Sequence, residues 1–412
     1  MTTWASSAQT AGSTTAGPDF GGVPLAAVPL AAEGTFPAFE DSFYQNQLFL
    51  LGEAHGVQRP QDVDFALLRH LNERAGVRTY MAEIDCAKAY YLNEYLRTGD
   101  EKTLDLVFRS WIAANSQWAN NDYRAKLQRI RTWNLTLPQR RQVRFVGIDE
   151  VQDAALAADY LNALMQGQKL TGDLRSQLDS VAVLLRQQTG DPEAVAQRAL
   201  LTLQQPMTNR KKLGSRYDDL RLLLRNLTWA QRGVKGREQT LFSNYQDLIA
   251  TPELAGKKLY GMWGLWHVLQ SPLQNGALSF AGMVRQSKLP AHDKVVSVLC
   301  VFAGCQMLMP NSSLPAAWQA PGKHYVVTDK FSHDGPLVVL AGMDELKRRT
   351  AAGSTTLFRL GAAAGKQSIG VRYAPGVPVA QQLQFRPELP ATDYVQYLVL
   401  VRDSGPVQPL RP

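Results

Sequence analysis

The sequence predicts an α/β fold: a mainly parallel central sheet flanked by helices, with a helical insertion and a mixed β region towards the C-terminus. Two observations carry this. Four short apolar runs each end in ionisable residues, and helical patterns separate them. The runs are Gln47–Gly52 (QLFLLG) before Glu53-Ala54-His55-Gly56, Val77–Ala82 (VRTYMA) before Glu83-Ile84-Asp85, Val143–Ile148 (VRFVGI) before Asp149-Glu150, and Lys258–Trp263 (KLYGMW) before Gly264-Leu265-Trp266-His267. Runs without strict alternation fit strands buried on both faces of a parallel sheet.

The helical evidence follows in order. Asp62–Arg74 places apolar residues at helical spacing and ends before Gly76, so strand, helix and strand form a βαβ unit. From Asp149 to Lys257 the pattern is helical, with Ala154–Met165, Leu174–Gln187, Glu193–Leu203 and Tyr217–Arg232 as elements. This stretch is expected to be an insertion or cap packing over the sheet. Beyond residue 290 short β-type runs return: Lys294–Phe302, Tyr325–Thr328, Leu337–Leu340, Thr356–Leu360 and Tyr394–Arg402. The expected organisation is a flexible lead-in over residues 1–40, one α/β domain over 41–400 with the insertion at 150–257, and a tail over 401–412.

Composition bounds the function. The chain has 412 residues with 45% hydrophobic and 19% charged, the balance of a globular protein with a real core. No run approaches the roughly 18 apolar residues of a membrane-spanning helix. The first 32 residues carry no Lys or Arg and lack the positive start of a secretory signal, which leaves export open. Cys86, Cys300 and Cys305 have no metal-type spacing and read as buried thiols. Much of the net charge of +8 gathers in Arg124, Lys126, Arg129, Arg131, Arg140, Arg141 and Arg144, read as a solvated helix face rather than a nucleic-acid site.

The chemistry sits at the strand ends, where open parallel sheets bind ligands. Period two would put Glu53 with His55, and Glu83 with Asp85, on common faces. Carboxylates beside imidazoles suit general-base catalysis, because the carboxylate orients the ring and stabilises its charged form. His70, His292, His324 and His333 have no such setting and read as structural or surface residues. A Gly-x-Ser-x-Gly elbow and a His-Glu-x-x-His zinc helix are both absent. Gly361–Ser368 is one residue short of a phosphate loop and reads as a turn.

Taken in order, LLGEAHG (Leu50–Gly56), MAEID (Met81–Asp85), LNEYLRTGD (Leu92–Asp100), RTWN with VRFVGIDE (Arg131–Asn134, Val143–Glu150), GREQTLFSN (Gly236–Asn244) and GMWGLWHV (Gly261–Val268) resemble the erythromycin esterase family. Its wider superfamily includes haem-uptake lipoproteins of the Gly-Glu-x-His type and Tiki-type proteases. The resemblance spans roughly residues 45–310. It implies a bacterial hydrolase of esters or lactones, linked to antibiotic resistance, in which a histidine activates water without a covalent intermediate. His55 then matches the catalytic histidine and Glu83 the acid at the next strand end. Arg237 matches the arginine of the Arg-Asp-x-x-Met-x-x-Asn helix, and His267 the last histidine of His-Asn-x-His, with the arginine and a histidine holding the oxyanion.

The expected catalytic set is therefore His55, Glu53, Glu83, Arg237 and His267, with Asp85 and Asp149 as substrate-binding residues. No cofactor or metal ligand is expected, and the partner is a small-molecule substrate rather than nucleic acid or membrane. Two alternatives stand beside it: a metal-dependent hydrolase using a divalent ion, and a non-catalytic binder of haem or another small ligand. Three departures from the family pattern are visible. The loop is Gly52-Glu-Ala-His55-Gly56, one residue shorter than Gly-Glu-x-Ser-His-Gly. Gly264 stands in place of the first histidine of His-Asn-x-His, and Glu238 replaces the aspartate after the arginine.

Overall fold

A computed structural model describes the chain apart from residues 1–24, 28–35, 37–38, 206, 230–235, 315, 361–368, 380–381 and 411–412. The strands are β1 Leu25–Ala27, β2 Leu48–Glu53, β3 Thr79–Ala82, β4 Arg144–Gly147, β5 Leu259–Gly264, β6 Val295–Ala303, β7 Met307–Pro310, β8 Tyr325–Thr328, β9 Val338–Leu340, β10 Thr355–Arg359, β11 Val371–Tyr373 and β12 Tyr397–Arg402. Eight form one sheet in the order β1-β10-β12-β6-β2-β5-β3-β4, parallel from β12 to β4 and antiparallel at β1 and β10. The mainly parallel α/β fold expected from the sequence is the fold observed. Two small antiparallel pairs, β7 with β8 and β9 with β11, form the mixed C-terminal region.

The helices are α1 Arg59–Ala75, α2 Cys86–Thr98, α3 Glu101–Ala113, α4 Asn121–Thr136, α5 Ala154–Met165, α6 Gly172–Gln187, α7 Pro192–Gln204, α8 Met207–Leu213, α9 Arg216–Leu227, α10 Arg237–Ile249, α11 Phe280–Gln286 and α12 Met343–Arg348. Alternation in β2 sorts the core. Phe49 and Leu51 join a cluster with α1 to α4, whereas Leu48 and Leu50 join one with α10, α11 and α12. The α5–α9 module does not cap the sheet. Its apolar faces close on one another around Leu161, Leu178, Leu200 and Leu223, and the module leans on α2 through Ala87 and Tyr90.

The edge strand β4 is braced by side chains that imitate a neighbouring strand. Asn93 of α2 donates to the Phe145 carbonyl (2.8 Å) and accepts from its N–H (2.7 Å), and Asn134 of α4 does the same for Val143 (3.0 and 2.6 Å). Asn244 of α10 donates to the Ile148 carbonyl at 2.9 Å. Three of the motif asparagines thus hold one edge of the sheet in place.

The described part of the lead-in is pinned rather than flexible: β1 pairs with β10, and Phe36 and Phe39 are buried beside Tyr397 and His70. The tail is also fixed. Val407 N–H donates to the Gly56 carbonyl at 2.9 Å and Gln58 N–H to that of Gly405 at 3.0 Å, so the C-terminus clamps the loop carrying His55.

The basic segment is not uniformly a solvated face, because Lys126 is buried. Lys126 is buried against Asp64 (2.6 Å), Arg124 pairs with Asp105 (2.7 Å) and Glu101, and Arg129 pairs with Asp62 (2.5 Å). Acids from α1 and α3 supply the counter-charges that are missing locally along α4. Cys300 and Cys305 are buried free thiols, while Cys86 opens α2 only partly buried. The turn expected at 361–368 lies outside the described residues. Among the described residues no helix is long and apolar enough to cross a membrane.

Candidate active site

The four strands with ionisable ends are neighbours, in the order β2-β5-β3-β4, and their registers align Glu53 with Gly264 and Ala82 with Gly147. Their carboxyl ends therefore deliver Glu53, His55, Glu83, Asp149 and His267 to one edge. A 3-10 turn over Leu265–Val268 swings His267 back under the strand ends.

His55 is oriented from behind. Glu53, only 1% exposed, accepts a short hydrogen bond from His55 Nδ1, and Trp118 packs edge-on at 4.7 Å between ring centroids. Gly56 follows at φ 101° with Leu308 so close that a Cβ would lie 2.2 Å from its carbonyl oxygen, so glycine is required there. Burial works against charge on His55, but Glu53 and then Glu83 outweigh it and raise its pKa above the ordinary 6.5.

Gly264 is the meeting point of the two imidazoles. A Cβ there would lie 3.2 Å from His55 Nε2 and 3.4 Å from His267 Cδ2. A side chain at 264 would therefore press on both rings.

Beneath them lies a lattice of fixed charge. Glu83 accepts from Gly264 N–H (2.7 Å) and from Arg237 (2.7 Å), and is 3.3 Å from His267 Nε2. Arg237, the first residue of α10, grips Asp149 through Nε (3.0 Å) and Nη2 (2.6 Å), a two-point ion pair. Glu238 stands 2.7 Å from His267 Nδ1 and accepts from Phe280 N–H at 2.6 Å. Burial opposes charge on His267, yet Glu83 and Glu238 push its pKa up to about 9. The two carboxylates flanking the ring, 2.7 Å from Nδ1 and 3.3 Å from Nε2, favour its charged form. Arg237 Nη1 lies 3.0 Å from His267 Nε2, within hydrogen-bond distance of that ring nitrogen. Burial likewise opposes charge on Glu83, but His267, His55 and Arg237 hold its carboxyl well below the usual carboxylate range.

Two expected substrate-binding residues do other work. Asp85 caps α2, accepting from Ala87 and Lys88 N–H (2.9 and 3.0 Å), and pairs with buried Lys88 at 2.8 Å. The chain leaves the strand after Ala82, so period two no longer applies and Asp85 does not join Glu83. Asp149 is fully buried with both oxygens on Arg237. Among the described residues no group of three His, Cys, Asp or Glu is arranged to hold a metal ion.

His55 faces a cleft of about 630 Å³ whose walls include Trp266, Met309, Phe331 and His333. Sequence reasoning passed over His333, Trp118 and Gln117. His333 follows no apolar run of its own, and its place is set by contact with β6. Trp118 lies in the loop before α4.

The erythromycin esterase family model matches residues 72–256, the segment that carries Glu83, Asp149 and Arg237. The match bears out the resemblance to the erythromycin esterase family over that segment. His55 and His267 lie outside it, on either side. Several solved structures share the fold of this chain. A Bacillus cereus protein is 12% identical with a TM-score of 0.64, over 90% of this chain and 92% of its own. A mutant of the erythromycin esterase EreC in its open conformation is 14% identical with a TM-score of 0.57, over 88% and 92%. A succinoglycan biosynthesis protein is 14% identical with a TM-score of 0.52, over 90% and 91%. No curated protein matches the chain.

Proposed function

We propose that the chain is a hydrolase that cleaves an ester or lactone by attack of a histidine-activated water. The observation that carries this reading is the imidazole of His55, oriented from behind by buried Glu53 and 27% exposed on the cleft side. Its Nε2 would take a proton from water as the water oxygen bonds to the carbonyl carbon, sending the π pair to the carbonyl oxygen. Cationic His267 and Arg237 beneath supply a fixed positive field for that oxyanion. Arg237 Nη1, which Asp149 and Glu83 leave unengaged, lies 3.0 Å from His267 Nε2 and joins the two groups of that field. Collapse of the intermediate breaks the bond to the leaving oxygen, which takes its proton from His55.

The match of residues 72–256 to the erythromycin esterase family model supports hydrolysis of an ester. The test is a panel of esters and lactones, erythromycin included, turned over by wild type and by His55→Ala, with metal content measured on the same samples. Loss of turnover in His55→Ala with the fold intact supports the mechanism. Retention of near-normal turnover removes it and makes His55 a ligand or structural residue.

A further inference from the structure

We propose that the cleft in front of His55 takes the uncharged, largely hydrocarbon part of its substrate, and that His333 reads a single hydrogen-bond acceptor on that part. The proposal rests on the hydrolase reading of the site and names its substrate class.

The lining carries the first half. Trp266, Met307, Met309, Phe331, Val338 and Leu383 give it apolar walls, and no Asp, Glu, Lys or Arg is among the described residues that line it. Its amides and phenol are turned onto their own walls. Gln117 Nε2 donates to the Leu308 carbonyl (2.7 Å), Asn275 Oδ1 accepts from Ala277 N–H (2.9 Å), and Gln382 Nε2 donates to the Val377 carbonyl (2.8 Å). Tyr373 Oη accepts from Leu383 N–H at 2.8 Å. A charged group brought into such a cleft would lose water and meet no counter-charge on the lining.

His333 is different. Phe302 N–H donates to its Nδ1 at 3.0 Å, and its ring stacks on that of Phe302 with 5.2 Å between centroids. A ring nitrogen that accepts a hydrogen bond carries no proton, so the neutral ring bears its proton on Nε2. Burial keeps the ring neutral by lowering its pKa to about 4. The Nε2–H has no protein partner among the described residues, and the residue lines the cleft. A neutral, immobile donor in an apolar wall selects a ligand that places an acceptor against it, because the unmatched ligand leaves the donor unpaired.

The experiment uses 4-nitrophenyl esters of straight-chain acids, corrected for uncatalysed hydrolysis. kcat/KM should climb about fourfold per methylene over the first few carbons, the transfer preference of one CH2 group. The 8-aminooctanoate and 8-carboxyoctanoate esters should fall at least tenfold below octanoate. Among 4-, 5-, 6- and 7-oxooctanoates, at least one should exceed octanoate itself. His333→Phe should bring that ratio to about one, and His333→Asn, which keeps a donor, should retain part of it. A general loss of packing would lower both members of the ratio together. Equal use of charged and neutral chains, no preferred oxo position, or a ratio unchanged in His333→Phe would overturn the proposal. If no ester is turned over, the hydrolase reading fails, and equilibrium binding of N-octylacetamide against octylamine and octanoate decides the cleft separately. Preference for the neutral amide upholds it, and equal binding of all three sinks it.

Discussion

Two buried ionic networks built from similar groups do different things in this molecule. In the first, Lys126 of α4 donates to Asp64 of α1 (2.6 Å), whose oxygens also accept from Tyr80 (2.7 Å) and Tyr260 (2.6 Å). Lys126 and Asp64 are 1% and 0% exposed, so the network is closed to solvent. The second joins Glu83, Asp149, Arg237, Glu238 and His267 at the strand ends, and it is open: Arg237 is 37% exposed and neighbouring His55 27%. Closure makes the first a packing device whose charges answer only each other. The open edge of the second leaves a field and an imidazole facing a cleft.

The largest expected effect separates the two networks by kind of loss. His55→Ala should lower turnover on the order of a hundredfold to ten-thousandfold, the usual cost of removing a general base, while the melting temperature stays within a few degrees. Lys126→Met should do the reverse. It leaves the Asp64 carboxylate buried beside two phenols without its cation, which costs about 3–5 kcal/mol in chemical denaturation, with activity per folded molecule retained. Activity loss in Lys126→Met without destabilisation would erase the distinction.

Next in size is the pH profile. His55 must be neutral to accept a proton and its pKa is raised above 6.5, so kcat/KM should rise as pH climbs through a value above 6.5. His267 must keep its proton to hold positive charge, so the rate should fall as pH passes about 9. Glu53→Gln removes a cause that raises the His55 pKa, and the acid limb should move to lower pH while the alkaline limb stays. An acid limb unmoved by Glu53→Gln would mean that another group sets it.

The open network was largely legible in the sequence, and the closed one was not. Strands that end in Glu53, Glu83, Asp149 and His267 announce themselves by apolar runs, and a parallel sheet brings their ends together whatever the loops do. What failed was period two past a strand end: Asp85 sits two residues from Glu83, yet the backbone turns into α2 and uses it as a cap. Lys126 looked like one of seven cations because Asp64 lies 62 residues away, and no local pattern encodes such a pairing. His333 and the tail clamp on Gly56 escaped for the same reason, as each is defined by contacts between distant segments. Strands β1 and β11, of three residues each, are too short to show a period.

The smallest expected effect lies on the same helix as one of the larger ones, which makes it the sharpest control. Arg129 is one turn beyond Lys126 on α4 and also pairs with an acid of α1, Asp62, at 2.5 Å. Both pairs join a cation of α4 to an aspartate of α1, and solvent is the main difference: Arg129 and Asp62 are 40% and 41% exposed. Water solvates either charge when the other is removed, so Arg129→Gln should cost under about 1 kcal/mol, with loss of the Arg129 stacking on Phe65 (4.4 Å) included. The same substitution should show little salt dependence beyond that of wild type, because most of what salt screens is already screened by water. Denaturation curves for Lys126→Met and Arg129→Gln measured side by side therefore compare burial at fixed chemistry. If the two cost the same, exposure is not what divides the networks of this protein, and the open edge at His55 would need another explanation.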